Sequence, residues 1–419
     1  MRRLLRRFLL MGEKAKNVFL WNATAASFDA VVSVVMLFLA TRLVSLEQAG
    51  VLALAIAMGQ QLICVGRWGM RNFQTADVGE QYTLPDYLVS RAVTNGLMVV
   101  CGCIWAFMVG GSWTKMAAIL LVVVQKILES WSTIFEGRYQ QKLRLDVAAR
   151  GVIVKTGGAL VVFATICLST RNIVLALAGM SVAYFALMLA TDGILLPLFG
   201  GFSLRSTLRT QGSLLLACFP LFINAFLQMY INNAQKFAID KQMDDASVAI
   251  FSILLMLSFV ILLLSSSILA PMIAPASEAY EHGHPRAFWK MVWKQFLILG
   301  VLGVLLIGGG WLCGVPVLSA VFGVPLDGMR RPLCLLLLGG VLLASYYVLQ
   351  LILIVRRRQY VCLIGIGLAA LFTFLCTTPL VARHGILGAA TSYLSAMAIL
   401  FFATLLLIPF FPDHRGAGR

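Results

Sequence analysis

Twelve apolar segments of near-bilayer length follow one another along this chain, and they constrain its fold more than any other feature. A membrane-spanning helix needs about 20 apolar residues. Because backbone amides inside a bilayer must find partners within the protein, such segments form helices. The sequence therefore predicts an all-α polytopic membrane protein with about 12 transmembrane helices. The spans are expected near residues 18–42, 49–70, 89–109, 116–136, 151–168, 173–196, 213–233, 247–270, 295–313, 332–355, 360–381 and 386–408.

The composition supports lipid as the solvent of this chain. Hydrophobic residues make up 60% of the 419 residues and charged residues only 12%, whereas soluble domains carry about 25% charged residues. The spans leave room only for short connections, so we expect no catalytic domain and no enzyme. The nine cysteines form no CxxC pair, and we predict no metal and no other cofactor.

The positive charges predict how the chain is oriented. The net charge of +16 lies in short clusters between apolar runs, which is typical of membrane topology and argues against nucleic acid as a partner. With both termini in the cytoplasm, the cytoplasmic side holds 24 Lys and Arg residues and the outer loops hold 8. The N-terminal stretch MRRLLRRFLL is expected to lie as an amphipathic anchor on the anionic inner leaflet.

A faint internal repeat predicts two lobes. Acidic turns at Glu47 and Asp244 lead into an apolar helix at the same place in each half, 197 residues apart. With the matched number of spans, this favours a parallel six-plus-six plan, as in many secondary transporters. We expect an N-terminal lobe of spans 1–6 over residues 1–200 and a C-terminal lobe of spans 7–12 over residues 201–419.

Three charged residues lie close to the middle of a predicted span, where a charge costs about 2.5–3.5 kcal/mol on insertion scales. Asp29 lies near the middle of the first span and is a candidate for coupling to a proton or sodium gradient. Lys126 and Glu129 are three residues apart in the fourth span and therefore share a helix face. They form either a mutually neutralising pair that packs the bundle or part of the wall of a central cavity.

Two further groups of polar residues are candidates for a substrate site. The seventh span carries a polar stripe after Pro220, which either faces a cavity or makes hydrogen bonds between helices; its candidates are Asn224, Gln228, Asn232 and Lys236. At the cytoplasmic end of the second span lie Arg67, Arg71 and Asn72. These arginines either contact lipid phosphates or hold a diphosphate headgroup, because the guanidinium fork matches phosphate oxygens.

The order of several motifs resembles that of bacterial polysaccharide flippases, the Wzx-like and teichoic-acid-type exporters of the multidrug/oligosaccharidyl-lipid/polysaccharide (MOP) superfamily. The resemblance covers most of the chain. It rests on the stretches 21–33, 69–74, 126–129, 144–148, 220–224, 229–241 and 314–318. No one of them is a short diagnostic motif, so their order carries the specificity.

The resemblance implies a MATE-like or MOP-like fold of two six-helix lobes around a cavity in the bacterial cytoplasmic membrane. It also implies alternating access, with an undecaprenyl-diphosphate-linked oligosaccharide or teichoic-acid precursor moving from the inner to the outer leaflet. Expected partners are this lipid-linked saccharide, membrane lipids and enzymes of polysaccharide biosynthesis. Two alternatives remain: a multidrug or metabolite exporter of the same superfamily, and a membrane glycan polymerase or glycosyltransferase.

Overall fold

A computed structural model describes residues 9, 15–77, 79, 81–142, 144–199, 207–269, 272–282, 284–356, 358 and 360–408. This part of the chain is helical and contains no β-strand. Ten of its helices are long and apolar enough to cross a membrane. The prediction of an all-α polytopic membrane protein is confirmed. The N-terminal arginines at positions 2, 3, 6 and 7, which were expected to anchor the chain, lie outside the described residues.

The chain divides into two compact units, Met1–Met229 and Tyr230–Arg419. The first unit contains α1 (Ala15–Leu43), α2 (Leu46–Arg67), α3 (Met70–Ala76), α4 (Leu84–Val109), α5 (Trp113–Gln141), α6 (Leu145–Thr170) and α7 (Ile173–Phe199). Helix α8 (Leu208–Gln242) contains the boundary between the units. The second unit continues with α9 (Asp245–Leu269), α10 (Ile273–Glu281), α11 (Pro285–Gly309), α12 (Val315–Phe322), α13 (Arg330–Val355) and α14 (Tyr360–Leu407). The predicted lobe boundary at residue 200 stays a prediction.

Helix α2 is the central element of the first unit, and it is buried along most of its length. It packs against α4 and α5. Gly59 makes the approach to α5 possible, since a Cβ at this position would lie only 2.6 Å from Val122 Cγ1. Close helix contacts through small residues are the usual way in which membrane helices associate.

The second unit is built around α13, which packs against α9, α11 and α14. Gly339 admits Tyr393 of α14, and Gly340 admits Ser258 of α9. A break at Gly385 (φ 55°, ψ −133°) divides α14 into two helical segments, which correspond to the separate spans predicted over 360–381 and 386–408. A π-helical turn at Gly310–Gly314 joins α11 to α12.

The fifth span is longer than the apolar pattern predicts. Helix α6 has 26 residues, enough to cross a bilayer, because it begins six residues before the expected start at 151. Its first turns carry Asp146 and Arg150, whose side chains are buried with Arg150 Nη1 3.9 Å from Asp146 Oδ2. A span predicted from apolar residues alone begins after these two charges. The helix itself includes them, because the two side chains are paired.

Both acidic turns of the predicted repeat lie at helix starts. The Ser45 hydroxyl accepts a hydrogen bond from the Gln48 amide at the start of α2. The Asp244 carboxylate accepts one from the Ser247 amide, at 2.7 Å, at the start of α9. These are N-cap interactions, and they show that each acidic turn of the repeat leads into a helix.

Candidate functional site

The first unit contains a cluster of charged side chains in its interior. Lys155 on α6 lies with its Nζ 3.0 Å from Asp192 Oδ2 on α7 and 3.7 Å from Glu136 Oε1 on α5. The Ser132 hydroxyl bonds to the Lys155 ammonium, and it lies 3.2 Å from Asp192 Oδ2. The Tyr139 hydroxyl donates to Asp192 Oδ1 at 3.4 Å. Each charge therefore has an opposite charge or a hydroxyl within reach, which is what burial of charges requires.

Arg71 extends this cluster to the surface of the unit. Its Nη1 lies 3.2 Å from Glu136 Oε2; the Arg71 side chain is 36% exposed, while that of Glu136 is only 5% exposed. The chain of contacts thus alternates in sign from Arg71 through Glu136 and Lys155 to Asp192. In a low-dielectric interior such a network is strongly coupled, so an anion bound at Arg71 would change the electrostatic potential at Asp192.

The predicted pair of Lys126 and Glu129 lies on the same helix as Glu136. The Lys126 ammonium donates to both Glu129 oxygens, at 2.8 and 2.7 Å. The two side chains are 20% and 18% exposed. The predicted pairing is confirmed, whereas a position on a cavity wall stays a prediction.

Tyr184 on α7 links this pair to the buried cluster. Its side chain is buried and lies near Ser132 and the carboxylates of Glu129, Glu136 and Asp192. On α5, the polar residues recur at intervals of three, three and four, so they share one helix face. We call this face the polar stripe of α5; its residues are Lys126, Glu129, Ser132 and Glu136. At 1.5 Å per residue it extends for about 15 Å.

Sequence reasoning missed three members of the buried cluster: Glu136, Lys155 and Asp192. Lys155 is one of the 24 cations that the charge count assigns to the cytoplasmic side, but its side chain is fully buried and paired. Arg91 and Arg150, also in that group, are fully buried as well. The sequence does contain an indication of this cluster, since Lys155 and Asp192 lie inside the predicted spans 151–168 and 173–196. An ionised residue inside a span is costly and usually has a functional or structural partner.

The other candidates at the end of α2 do not converge on one point. Asn72 is exposed on α3, while Arg71 points to Glu136. Arg67 is half-buried, and its Nε has no hydrogen-bond partner. Arg71 therefore faces the interior cluster, whereas Asn72 is exposed, and a role of these residues in binding substrate stays a prediction.

The polar residues of α8 are divided between the two units. Asn224 and Gln228 are half-buried in the first unit. In the second unit Asn232 is half-buried, with its Oδ1 lacking a partner, and the buried Lys236 Nζ lies 3.5 Å from Asn233 Oδ1. The Asp29 side chain lies outside the described residues, although the backbone around it is helical.

A metal centre does not emerge from the described side chains, which include no group of three or more His, Cys, Asp or Glu residues able to hold a metal ion. The described residues of the polar stripe and its partners instead offer ammonium, guanidinium, carboxylate and hydroxyl groups. Chemically, this arrangement can bind ions and polar groups and can move protons.

The fold defines a multi-pass, all-α membrane protein of the type found in MOP superfamily transporters. The chain is similar to the lipid II flippase MurJ in an inward closed conformation, with a TM-score of 0.71 and 12% identity over 93% of this chain and 88% of that one. It is also similar to a mutant of the Vibrio cholerae MATE transporter VcmN, with a TM-score of 0.61 and 13% identity over 98% and 97% of the two chains.

A third similar structure is a MOP superfamily transporter from Pyrococcus furiosus, with a TM-score of 0.57 and 10% identity over 98% of this chain and 94% of that one. No protein-family model and no curated protein sequence matches the chain. At these identities the likeness establishes the fold. Membership of the Wzx-like or teichoic-acid exporters stays a prediction.

Proposed function

We propose that this protein is a flippase that moves a lipid-linked oligosaccharide or teichoic-acid precursor from the inner to the outer leaflet. The observation that supports it most is an ionised network inside one unit of a MOP-type fold, from Arg71 to Asp192. A purely structural bundle does not need such a network, because replacing buried ion pairs by apolar side chains is often neutral or stabilising.

The physical problem of flipping a lipid fits this arrangement. The hydrocarbon tail stays in the bilayer, while the charged headgroup and the sugars must cross a medium that excludes them. Arg71, at the exposed end of the network, supplies a guanidinium that matches phosphate oxygens. Lys126 and Glu129 retain partial exposure and supply a cation and hydrogen-bond acceptors for sugar hydroxyls. Further polar groups for the saccharide would come from α8, at Asn224, Gln228, Asn232 and Lys236.

The driving force in this proposal is an ion gradient. Asp29 is the candidate for binding a proton or a sodium ion during alternating access. No enzymatic step and no resident cofactor is required. The protein would work in the bacterial cytoplasmic membrane, with both termini in the cytoplasm, next to the enzymes that assemble the polysaccharide.

A multidrug or metabolite exporter is the second candidate function, favoured by the likeness to the MATE transporter VcmN. Depletion of the protein followed by mass spectrometry of the lipid extract separates the two. A flippase predicts a build-up of a diphosphate-linked saccharide on the cytoplasmic leaflet. Normal lipid-linked pools with unaltered surface glycan would contradict the flippase and favour small-molecule efflux.

Complementation tests the residues. The triple variant Arg71→Ala/Lys126→Ala/Glu129→Ala should insert normally but fail to restore surface glycan, because it loses the accessible charges of the network. Arg383→Ala removes an exposed cation outside the network and should restore it fully. Intact export by a normally inserted triple variant would show that these residues do not contact the substrate.

A further inference from the structure

The first unit contains a second site, an apolar cavity of about 370 Å³ between α2, α4 and α8. Its walls carry four aromatic side chains, three aliphatic ones, a cysteine and one amide. They are Gln61, Leu62, Val65, Trp68, Leu97, Cys101, Trp105, Phe222 and Phe226. A cavity of this volume falls within the range of small-molecule sites, and it is separate from the charged cluster on α5, α6 and α7.

Part of the cavity wall lies on a face of α4 that is exposed and apolar. Leu97 forms part of the wall and is itself 45% exposed. On the same helix Val93, Val100 and Ile104 are each more than half exposed. On a bilayer-spanning helix such a face meets hydrocarbon, since lipid is the solvent there. The exposed part of the wall at Leu97 is therefore next to lipid chains.

The walls are held in place by contacts between α2 and α8. The Trp68 ring stacks on Phe222 with centroids 4.0 Å apart and planes at 5°. Its Nε1 donates to the Leu215 carbonyl at 3.0 Å, and Gln61 Nε2 donates to the Phe226 carbonyl at 3.1 Å. Trp68 has φ +47°, in the left-handed region that non-glycine residues rarely adopt. These contacts fix the positions of the walls on α2 and α8 relative to each other.

Uncompensated positive charge lies beside the Trp68 end of the cavity. Arg91 is fully buried and donates to the Gly66 carbonyl, to Ser130 Oγ at 3.2 Å and to Thr133 Oγ1 at 3.4 Å, all neutral oxygens. Arg67 directly precedes Trp68, and its positive charge repels that of Arg91. The Arg67 Nε has no hydrogen-bond partner. Within the described residues neither arginine has a carboxylate partner, which favours an anionic ligand.

We propose that this cavity binds one acyl chain of an anionic phospholipid of the cytoplasmic leaflet, with the lipid phosphate held by Arg67. The length agrees: the wall of α4 from Leu97 to Trp105 rises by about 12 Å, against about 15 Å for half of the hydrocarbon core. The end of α2 at Arg67 lies on the side that the positive-inside rule assigns to the cytoplasm. This site is independent of the proposed function.

Native mass spectrometry of the purified full-length protein tests the site, with phosphatidylglycerol, phosphatidylcholine and undecaprenyl phosphate as probes. Wild-type protein should retain one phosphatidylglycerol molecule at least tenfold more tightly than phosphatidylcholine. Leu97→Trp fills the cavity and Arg67→Gln removes the phosphate contact, so each should weaken retention about tenfold. Val93→Trp places the same side chain on the exposed face outside the cavity, and Arg383→Gln removes an exposed charge of the second unit; both should retain the lipid like wild type.

Three results would overturn the proposal. They are equal retention of phosphatidylcholine, unchanged retention in both Leu97→Trp and Arg67→Gln, and displacement of phosphatidylglycerol by an equimolar amount of undecaprenyl phosphate. Where Leu97→Trp fails to fold, Arg67→Gln decides, since it leaves the walls intact. Because saccharide export is not measured, failure here leaves the proposed function standing.

Discussion

The Lys155 ammonium lies 3.0 Å from the Asp192 carboxylate, and the two side chains are only 1% and 4% exposed. The two residues are 37 positions apart and belong to α6 and α7. Taking two charges into a low-dielectric interior costs several kcal/mol per ion, and their attraction offsets this only in good geometry. We therefore expect the pair to fix how α6 and α7 pack against each other, while its net contribution to the free energy of folding is small.

Removing one member of this pair should be far more harmful than removing both. We expect Lys155→Met to lower the free energy of unfolding by about 3–5 kcal/mol, because Asp192 is left buried without its cation. The double variant Lys155→Met/Asp192→Asn should recover most of that loss. Denaturant unfolding of the purified protein in detergent measures both. Additive losses in the double variant would show that the two side chains are not coupled.

The Lys126–Glu129 pair should behave differently, although its contacts are as short. Both side chains keep partial exposure, so the desolvation cost and the net attraction are smaller. We expect Lys126→Ala to change the free energy of unfolding by less than about 1 kcal/mol in the same assay. A loss as large as that of Lys155→Met would mean that the pair is sealed from water.

Gly66 should tolerate no side chain. A Cβ there would lie 2.8 Å from Asn95 Oδ1 and 2.8 Å from Met98 Sδ, next to the carbonyl that Arg91 binds. Overpacking of this kind costs about 1–3 kcal/mol, and we expect that loss for Gly66→Ala. Gly96→Ala on α4 is the matched control, since nothing lies within 4 Å of its added methyl; it should be neutral or stabilising. Equal melting temperatures for the two variants would contradict the packing.

Asp244 should make the start of α9 sensitive to acid. The Ser247 side chain and amide bond to its carboxylate and lower the pKa of Asp244 from its ordinary value. A lowered pKa stabilises the folded protein above the ordinary pKa of about 4, and this stabilisation is lost as the pH falls through the lowered value. We expect Asp244→Ala to cost about 1 kcal/mol at neutral pH.

Asp244→Asn keeps the cap and should cost much less at neutral pH, because asparagine caps helices about as well as aspartate. It should also remove this contribution to the acid dependence. Melting temperatures of the three proteins from pH 7 down to pH 3 provide the measurement. The prediction fails if Asp244→Asn and wild type lose stability in parallel over that range.

Much of the fold could be predicted because the hydropathy of a segment indicates whether it lies in lipid or in water. The apolar segments correspond to the observed helices, and Gly385 separates the last two as expected. Contacts within one helix were also predictable, since periodicity alone brings Lys126 to Glu129. The start of α6 was misplaced because an apolar count cannot tell that Asp146 and Arg150 are paired.

Contacts between helices were beyond the reach of the sequence. Lys155, Asp192 and Glu136 come from three helices, and nothing in their spacing brings them together. The same holds for Trp68 and Phe222, which stack across α2 and α8. Such contacts depend on how each helix is rotated and how closely it approaches its neighbours. A glycine such as Gly59 permits a close approach, but its presence in the sequence does not identify the residue that it contacts.

By itself, then, the sequence determined the solvent of this protein, the helical type of its spans and where several of them begin. These properties follow from local hydrophobicity, backbone hydrogen bonding and capping, all of which act over neighbouring residues. Only the tertiary structure decided which charges are buried together, which arginines are left without a carboxylate, and where a cavity remains. Those properties arise from side chains distant in sequence, whose free energy depends on the dielectric and the packing that neighbouring helices create.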